Sequence, residues 1–171
     1  MSDPTRIQKN GSPRPPLHIP LGHTAFRMLC HASRIGGIIG KSGAIIKNLQ
    51  HVTGAKIRIE DAPPDAPDRI VTIIGPTSPV PTGDGPSEIS RAQEALVRVF
   101  ERVLDVAAES EVRDGGVVSC RLVAGPPQVG SVIGKGGRVV ERIRKETGCK
   151  IRALSSNGVR GVFSLDEIIE V

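Results

Sequence analysis

The 171-residue chain is basic, with 23 Lys and Arg against 18 Asp and Glu, a formal net charge of +5 and a pI near 9.5. This charge favours an anionic partner. The chain has no Trp, no Tyr and only three Phe, which excludes the aromatic stacking platform that RRM and OB domains use to hold bases.

The first 22 residues are rich in proline and contain no continuous apolar stretch. They therefore predict neither a signal peptide nor a membrane span. We expect residues 1–22 to form a disordered arm.

The next segment predicts a strand, two helices and a second strand. Residues 24–30 alternate as a strand, and Ser33 is the predicted N-cap of a short helix that ends at Ile39. A glycine loop at 40–43 leads to a helix at 44–52, which Gly54 ends. Residues 55–60 alternate strictly and predict the second strand, with Lys56 and Arg58 on one face.

A loop, a strand and a long helix follow. Residues 61–69 hold three prolines and predict a surface loop, and residues 70–74 predict a third strand. Residues 75–86 read as a linker. An apolar stripe then predicts a helix at 87–109 with Ser87 as its N-cap. The order βααββα predicts a small α+β domain, a sheet with helices on one face, over residues 23–110.

A second series of elements begins after a hinge at 113–116, within a second domain at 111–171. It predicts strands at 117–124, 149–153 and 166–171, and helices at 128–133 and 138–146. No residues remain for the last helix, which in the first domain offers about five apolar side chains at about 1.5–3 kcal/mol each. We expect the second domain to be incomplete and unstable in isolation; a truncated fragment or splice form of a longer protein is the alternative.

The two domains share an internal repeat. The stretch GGIIGKSG at 36–43 returns as GSVIGKGG at 130–137, at a constant offset of 94 (134 minus 40). At this offset Arg27 meets Arg121, and the Lys-Ile-Arg sequence at 56–58 meets the same sequence at 150–152. The chain therefore contains one fold twice.

The repeated Gly-Lys-x-Gly turn predicts contact with phosphate. Glycines let the backbone approach a phosphate closely, the following helix offers free amides, and the lysine adds a cation. A P-loop is excluded because Ile35 and Val129 occupy the position of its first glycine, and Gly136 replaces the hydroxyl residue. No βαβ unit follows, so a dinucleotide fingerprint is excluded as well.

The other reactive residues predict no chemistry. Cys30, Cys120 and Cys149 show no C-x-x-C spacing, which favours reduced intracellular thiols that pack in or beside strands. The four histidines have no metal-ligand spacing, and no nucleophile, base and orienting acid converge. We therefore assign no catalysis, no metal and no cofactor.

The stretches IGGIIGKSGAIIKNLQHVTGAKIRI and VGSVIGKGGRVVERIRKETGCKIRA resemble the K-homology (KH) domain, whose mark is a G-x-x-G loop between two helices, then Thr-Gly and a basic-apolar strand. The resemblance covers about residues 24–109 and 117–171, and the sequence of the first repeat is similar to those of plant members of the poly(C)-binding class. It implies two type I KH domains, each a three-stranded antiparallel sheet with helices on one face, the second lacking its last helix.

The resemblance also implies two RNA-binding grooves in which the G-x-x-G loops grip the sugar-phosphate backbone. The first loop is Gly40, Lys41, Ser42 and Gly43, and the groove beside it is lined by Ile35, Gly36, Gly37, Ile39, Ile46, Lys47, Ile57, Arg58, Ile59 and Arg69. The second loop is Gly134, Lys135, Gly136 and Gly137, and its groove is lined by Val129, Gly130, Ser131, Ile133, Val140, Arg144, Ile151 and Arg152.

The differences between the repeats bear on both domains. Gln50 stands where the second repeat has Arg144, so the first groove is predicted to hold one base less strongly. Ala153 replaces Ile59 and Glu167 stands in place of Arg69, and together with the missing helix these differences predict that the second domain binds RNA more weakly or not at all.

The predicted function is sequence-selective binding of single-stranded RNA in post-transcriptional regulation and processing of mRNA. Pyrimidine-rich RNA and single-stranded DNA are open as targets, as is association with copies of itself or other KH proteins; no membrane partner is expected. The predicted location is the nucleus, with the cytoplasm open. The alternative is a KH-fold scaffold for protein interactions, and a nucleotide hydrolase is disfavoured by the failed P-loop spacing.

Overall fold

The computed structural model describes residues 17–83, 85–110, 118–159, 161–162 and 165–171. Residues 1–16 of the predicted arm at 1–22 and the hinge at 113–116 lie outside these residues, so the disorder of the arm and the domain boundary at residue 110 stay predictions. The first repeat contains β1 (His23–His31), α1 (Ala32–Ile39), α2 (Ala44–Thr53), β2 (Lys56–Ile59), β3 (Asp68–Pro76), β4 (Pro79–Thr82), β5 (Gly85–Ser90) and α3 (Arg91–Glu109). The second contains β6 (Arg121–Ala124), α4 (Pro126–Ile133), α5 (Arg138–Thr147), β7 (Arg152–Ser155) and β8 (Glu167–Glu170).

The predicted order of strands and helices is confirmed, and the corrections concern the ends of these elements and one hairpin that was not predicted. His31, not Ser33, is the N-cap of α1, because its Nδ1 accepts a hydrogen bond from the Ser33 amide at 3.3 Å. The third strand of the first repeat begins at Asp68, so Arg69 lies in the strand and not at the end of a loop. In the second repeat the middle strand is shifted to Arg152–Ser155.

The segment predicted as a linker is instead ordered as the end of β3 and a two-stranded hairpin of β4 and β5. This hairpin delays the start of the long helix, so the prediction of Ser87 as N-cap is wrong. Ser90 is the N-cap: its Oγ accepts from the Gln93 amide at 3.2 Å, and Gln93 Oε1 accepts from the Ser90 amide at 2.8 Å. This reciprocal pair is a capping box, which a Ser-x-x-Gln spacing indicates.

The two repeats share one six-stranded sheet in the order β2-β3-β1-β6-β8-β7. Each repeat contributes three antiparallel strands as predicted, but the sequence did not predict that β1 and β6 pair antiparallel at the centre. Met28 lies opposite Leu122, its own counterpart at the offset of 94. The repeats are therefore related by a pseudo-two-fold axis that passes between these two residues, perpendicular to the sheet.

Both faces of the sheet are apolar at its centre. On the helix face the largest core contains Met28, Ile38, Val71, Ile73 and Val99, all at most 1% exposed, and Cys120 and Leu122 of the second repeat pack against it. A smaller core of the second repeat contains Ala124, Val129, Val140, Ile151 and Ile169.

The opposite face carries a cluster drawn from both repeats. Leu29 and Ile70 of the first repeat pack with Val123 and Ile168 of the second. Val159 and Val162, from the loop before β8, cover this cluster. The long loop of the second repeat therefore packs across the back of the sheet.

Within the described residues of the second repeat, no helix follows β8. The instability expected of this repeat in isolation stays a prediction. Among the helices that the structure describes, none combines the length and apolar character that a membrane crossing requires.

Candidate nucleic-acid interface

The first G-x-x-G loop connects α1 to α2 through glycines in left-handed conformations. Gly40 has φ 73° and ψ 173°, and Gly43 has φ 75° and ψ 18°. The Gly40 amide donates to the Gly36 carbonyl at 2.9 Å and so ends α1. Ser42 also has a positive φ of 56°, in the left-handed region that favours glycine.

The second loop repeats this backbone. Gly134 has φ 73° and ψ 170°, Gly137 has φ 75° and ψ 11°, and Gly136 takes the place of Ser42 with φ 62°. A Cβ on Gly40 would lie 2.6 Å from the Ile45 side chain, and a Cβ on Gly134 would lie 2.4 Å from that of Val139. Glycine is thus required at the start of both loops by conformation and by packing.

Each loop presents an exposed lysine, Lys41 or Lys135, beside the first turn of a helix. The N-cap of α2 is Gly43, which offers no side-chain acceptor, and no acidic residue lies in the first turn. The Ala44 amide donates to the Lys41 carbonyl, but no side chain of the protein caps the start of α2, so the positive end of the helix dipole faces the loop without a competing acceptor. In α5 the first turn contains Glu141, whose carboxylate is paired with Arg144 at 2.5 Å.

The structure places the predicted residues of the first groove on α1, α2, β2 and β3. Ile35, Ile46 and Ile59 are partly buried against the core, and Ile57 is buried within it. Gly36 is exposed with open space at its Cβ position, whereas a Cβ on Gly37 would lie 2.4 Å from Val106 of α3. Gly37 therefore permits close packing of α1 against α3. The remaining predicted residues, Ile39, Lys47, Arg58 and Arg69, are exposed or partly exposed.

The two arginines predicted to meet bases in the first groove have partners within the protein. Arg58 Nε lies 3.0 Å from the Glu60 carboxylate. Arg69 Nη1 donates to the carbonyl of Ala62 in the loop before β3 at 2.8 Å. These contacts hold both guanidinium groups beside the loop at 60–67.

The second groove contains a cavity of about 160 Å³. The predicted residues Val129, Ile133, Val140, Arg144, Ile151 and Arg152 line it, and Gly130 and Ser131 lie on the exposed surface of α4. Three further lining residues were not predicted: Val132, Ala153 and Ile169. The comparison of the repeats gave no reason to name Ile169, because its counterpart in the first repeat, Val71, was not among the predicted groove residues.

Gln50 and Arg144 occupy equivalent positions in the two repeats but make different hydrogen bonds. Gln50 Oε1 accepts from the Ile57 amide at 2.9 Å, while Arg144 donates to the Ile151 carbonyl at 2.5 Å. The first bond joins α2 to β2, and the second joins α5 to the residue immediately before β7. Arg152, the first residue of β7, is ion-paired with Glu170 of β8.

A sequence profile of the KH domain matches residues 25–82 and 120–171, which together make up more than half of the chain. The chain belongs to the KH-domain family. The two matched stretches are tandem KH repeats, as the resemblance implied.

Similar proteins come from plants. The chain is 45% identical over 170 residues to KH domain-containing protein HEN4 of Arabidopsis thaliana, which covers 91% of this chain and 19% of HEN4. It is 37% identical over 179 residues to RNA-binding KH domain-containing protein RCF3 of the same plant, covering 95% of this chain and 27% of RCF3. The tandem KH chain thus spans less than a third of the length of either relative.

Among solved structures, the complex of a/eIF2alpha, aDim2p and rRNA from Pyrococcus horikoshii covers 88% of the tandem KH chain and 77% of its own, at 17% identity and a TM-score of 0.32. A likeness at this level carries no argument about function.

Proposed function

We propose that the tandem KH chain binds single-stranded RNA, with a G-x-x-G loop on the phosphates and an aliphatic groove under the bases of each repeat. The observation that supports this most is the pair of loops with nearly equal backbone angles, each presenting an exposed lysine beside the start of a helix. The membership of the KH family and the RNA-binding name of RCF3 agree with it.

In this proposal phosphate contacts set the affinity and the grooves set the base preference. Lys41 neutralises phosphate charge in the first repeat, helped by the positive end of the α2 dipole, and Lys135 does so in the second. With two to four neutralised charges, the logarithm of the affinity falls against the logarithm of salt concentration with a slope of about −1.5 to −3.

In this proposal the first repeat binds RNA more tightly than the second. Its α2 has no acidic residue in the first turn, whereas Glu141 in α5 repels a phosphate near the second loop. The smaller Ala153, where the first repeat has Ile59, also leaves less apolar surface for a base.

We further propose selectivity for pyrimidine-rich RNA, a role in post-transcriptional mRNA regulation and residence in the nucleus. These finer assignments rest on the resemblance to the poly(C)-binding class. Imaging of the tagged full-length protein tests the location, and competition by single-stranded DNA tests whether the 2′-hydroxyl is read.

Fluorescence anisotropy of labelled poly(C), poly(U), poly(A) and poly(G) oligomers at two salt concentrations tests RNA binding. The loop variant joins Lys41→Asp and Ser42→Asp; Ser42 already has a left-handed backbone that Asp tolerates, so the fold is retained. The matched control makes the same change of charge on the exposed face of α3, with Val97→Asp and Arg98→Asp.

We expect salt-sensitive, base-selective binding that the loop variant loses by at least tenfold and the α3 control retains. Equal losses in both variants would reduce the effect to net charge and overturn the groove assignment. A folded protein that binds none of the oligomers would contradict RNA binding and favour the protein-interaction scaffold.

A further inference from the structure

Two cysteines lie opposite each other across the junction of the two repeats. The register of β1 and β6 pairs Arg27 with Val123, Met28 with Leu122 and Leu29 with Arg121. The pairing of β1 with β6 ends at Leu29 and Arg121; continued by one residue, its register places Cys30, in β1, opposite Cys120, the residue immediately before β6.

Backbone hydrogen bonds define the geometry of this position. The Cys120 amide donates to the Val171 carbonyl at 3.0 Å, and the Val171 amide donates to the Cys120 carbonyl at 2.9 Å. Both backbone groups of Cys120 thus point toward Val171, the residue after β8, so Cys120 faces β1 as a non-hydrogen-bonded position. Opposite residues at such positions have Cα atoms about 4.5 Å apart, within the range of about 4.4–6.8 Å that a disulfide spans.

The two side chains also point to the same face. Cys30 is 3% exposed and belongs to the core on the helix face, and Cys120 packs against this core from the second repeat. Side chains of directly opposite residues in an antiparallel pair always share a face. In the structure both residues are free thiols.

We propose that Cys30 and Cys120 are a disulfide-forming pair that links the two KH repeats when the protein meets a low-molecular-weight disulfide. The pairing joins the centre of the sheet, where no other covalent bond connects the strands, and closes a chain loop from residue 30 to residue 120. It leaves Cys149, which is exposed, as an ordinary thiol.

The chemistry is a two-step thiol–disulfide exchange. The thiolate of Cys120 attacks one sulfur of the small disulfide, forms a mixed disulfide and releases one small thiolate. The thiolate of Cys30 then attacks Sγ of Cys120 and releases the second small thiolate. Two protein thiols are oxidised, one small disulfide is reduced to two thiols, and the protons of the protein thiols pass to solvent or to the leaving thiolates.

A cavity gives a small reagent access to the neighbourhood of the two cysteines, and burial of the thiols slows the reaction. A cavity of about 590 Å³ between α3 and the strands is lined by Cys30 and by Val118 and Ser119, which precede Cys120, together with the cationic Arg34 and Arg121. Burial raises the pKa of the Cys30 thiol to about 11 and also raises the pKa of Cys120. Since the thiolate is the nucleophile, the exchange accelerates as pH rises from 7 toward 9.

The test uses the whole chain with oxidised glutathione at pH 8.5, followed by alkylation of the remaining thiols and tryptic mapping. Cleavage after Lys and Arg places the three cysteines in separate peptides: residues 28–34, 114–121 and 146–150. We expect a bridged species of 28–34 with 114–121, lighter in intact mass by about two hydrogens before alkylation, and its reversal by dithiothreitol.

Variants separate this pairing from unselective oxidation. Cys149→Ser retains the bridge, and Cys120→Ser removes it, leaving only mixed disulfides with glutathione. If Cys30→Ser fails to fold because Cys30 is buried, the partly exposed Cys120→Ser carries the test. Oxidation in urea, where all three thiols are equivalent, is the reference for random pairing.

The proposal is supported if the native 28–34 with 114–121 bridge forms at least tenfold in excess over bridges to 146–150. Random pairing in the native protein, bridges that involve Cys149, or glutathionylation with no internal bridge would each overturn it.

Discussion

Arg27 of the first KH repeat lies 2.7 Å from Asp166 of the second, between Nη2 and Oδ2. Arg121, the counterpart of Arg27, binds Asp68 of the first repeat in the same way with two hydrogen bonds of 3.0 and 2.6 Å. The two ion pairs are related by the pseudo-two-fold axis, and each crosses from one repeat to the other. The pairing of Arg121 with Asp68 also raises the pKa of the Arg121 guanidinium.

We expect Asp68→Asn to weaken the junction of the repeats. Arg121 then loses a bidentate, partly buried carboxylate, which lowers the free energy of unfolding by about 1–2 kcal/mol after allowance for partial exposure. Urea unfolding followed by circular dichroism measures the change. The control is Glu94→Gln, which removes the more exposed ion pair with Arg98 on α3 at an expected cost below about 0.5 kcal/mol. Equal losses of unfolding free energy in the two variants would show that the junction ion pair stabilises the protein no more than a surface pair does.

Alanine substitutions at two neighbouring glycines of α1 should have opposite effects on the stability of the protein. A Cβ on Gly37 would lie 2.4 Å from Val106, so Gly37→Ala should cost about 1–3 kcal/mol. Gly36 has open space at the same position, so Gly36→Ala should be neutral or stabilise by up to about 1 kcal/mol. Thermal unfolding compares the two, and Val106→Ala should recover part of the loss in Gly37→Ala. A cost at Gly36 as large as that at Gly37 would disprove the packing account.

The start of α3 can be located by two serine substitutions. Ser90→Ala removes the capping box with Gln93 and should cost about 1 kcal/mol. Ser87→Ala, three residues earlier, removes a single bond from the Ile89 amide to Oγ and should cost about half as much or less. Chemical unfolding of the two variants measures both, and a larger cost at Ser87 would return the helix start to the position that the sequence indicated.

The buried Cys30 thiol predicts a pH dependence of stability. Burial raises its pKa from 9.0 to about 11, so the folded protein retains the proton that the unfolded chain loses. This contribution is fully present below about pH 9 and is lost as pH rises through 11. Between pH 8 and pH 10.5 the wild type should lose about 2 kcal/mol more than Cys30→Ala, in urea unfolding under reducing conditions. Parallel pH profiles would contradict the burial of the thiol.

The local elements and loops of the fold were predictable because their signals are short in range. The helix periodicity and the glycines around Lys41 and Lys135 are signals within one repeat, and the repeat offset transfers each of them to the other repeat. The junction of the two repeats was not predictable, because the pairing of Met28 with Leu122 joins residues 94 positions apart and leaves no local pattern in the sequence. The apolar residues on both faces of β1, among them Met28 and Leu29, were a signal of a central strand that the sequence reading did not use.

The groove residues were likewise predictable only in part. Comparison of the two repeats predicted most residues that line the cavity of the second groove, but not Ile169, whose position depends on the pairing of β8. It also could not show that Arg58 and Arg69 are bound by Glu60 and by the Ala62 carbonyl, because both partners lie in or beside the loop between β2 and β3, whose sequence differs from that of the corresponding loop between β7 and β8.

The order of the strands constrains the shape of any RNA that occupies both repeats. Strands β2 and β7, which border the two grooves, are the opposite edges of the sheet and are separated by five strand spacings, about 24 Å. The pseudo-two-fold axis makes the two bound segments run in opposite directions. A short uninterrupted sequence can therefore satisfy only one repeat, and a target of the whole chain needs two short elements joined by a spacer long enough to turn back. The length of that spacer, as much as the bases, then selects the target.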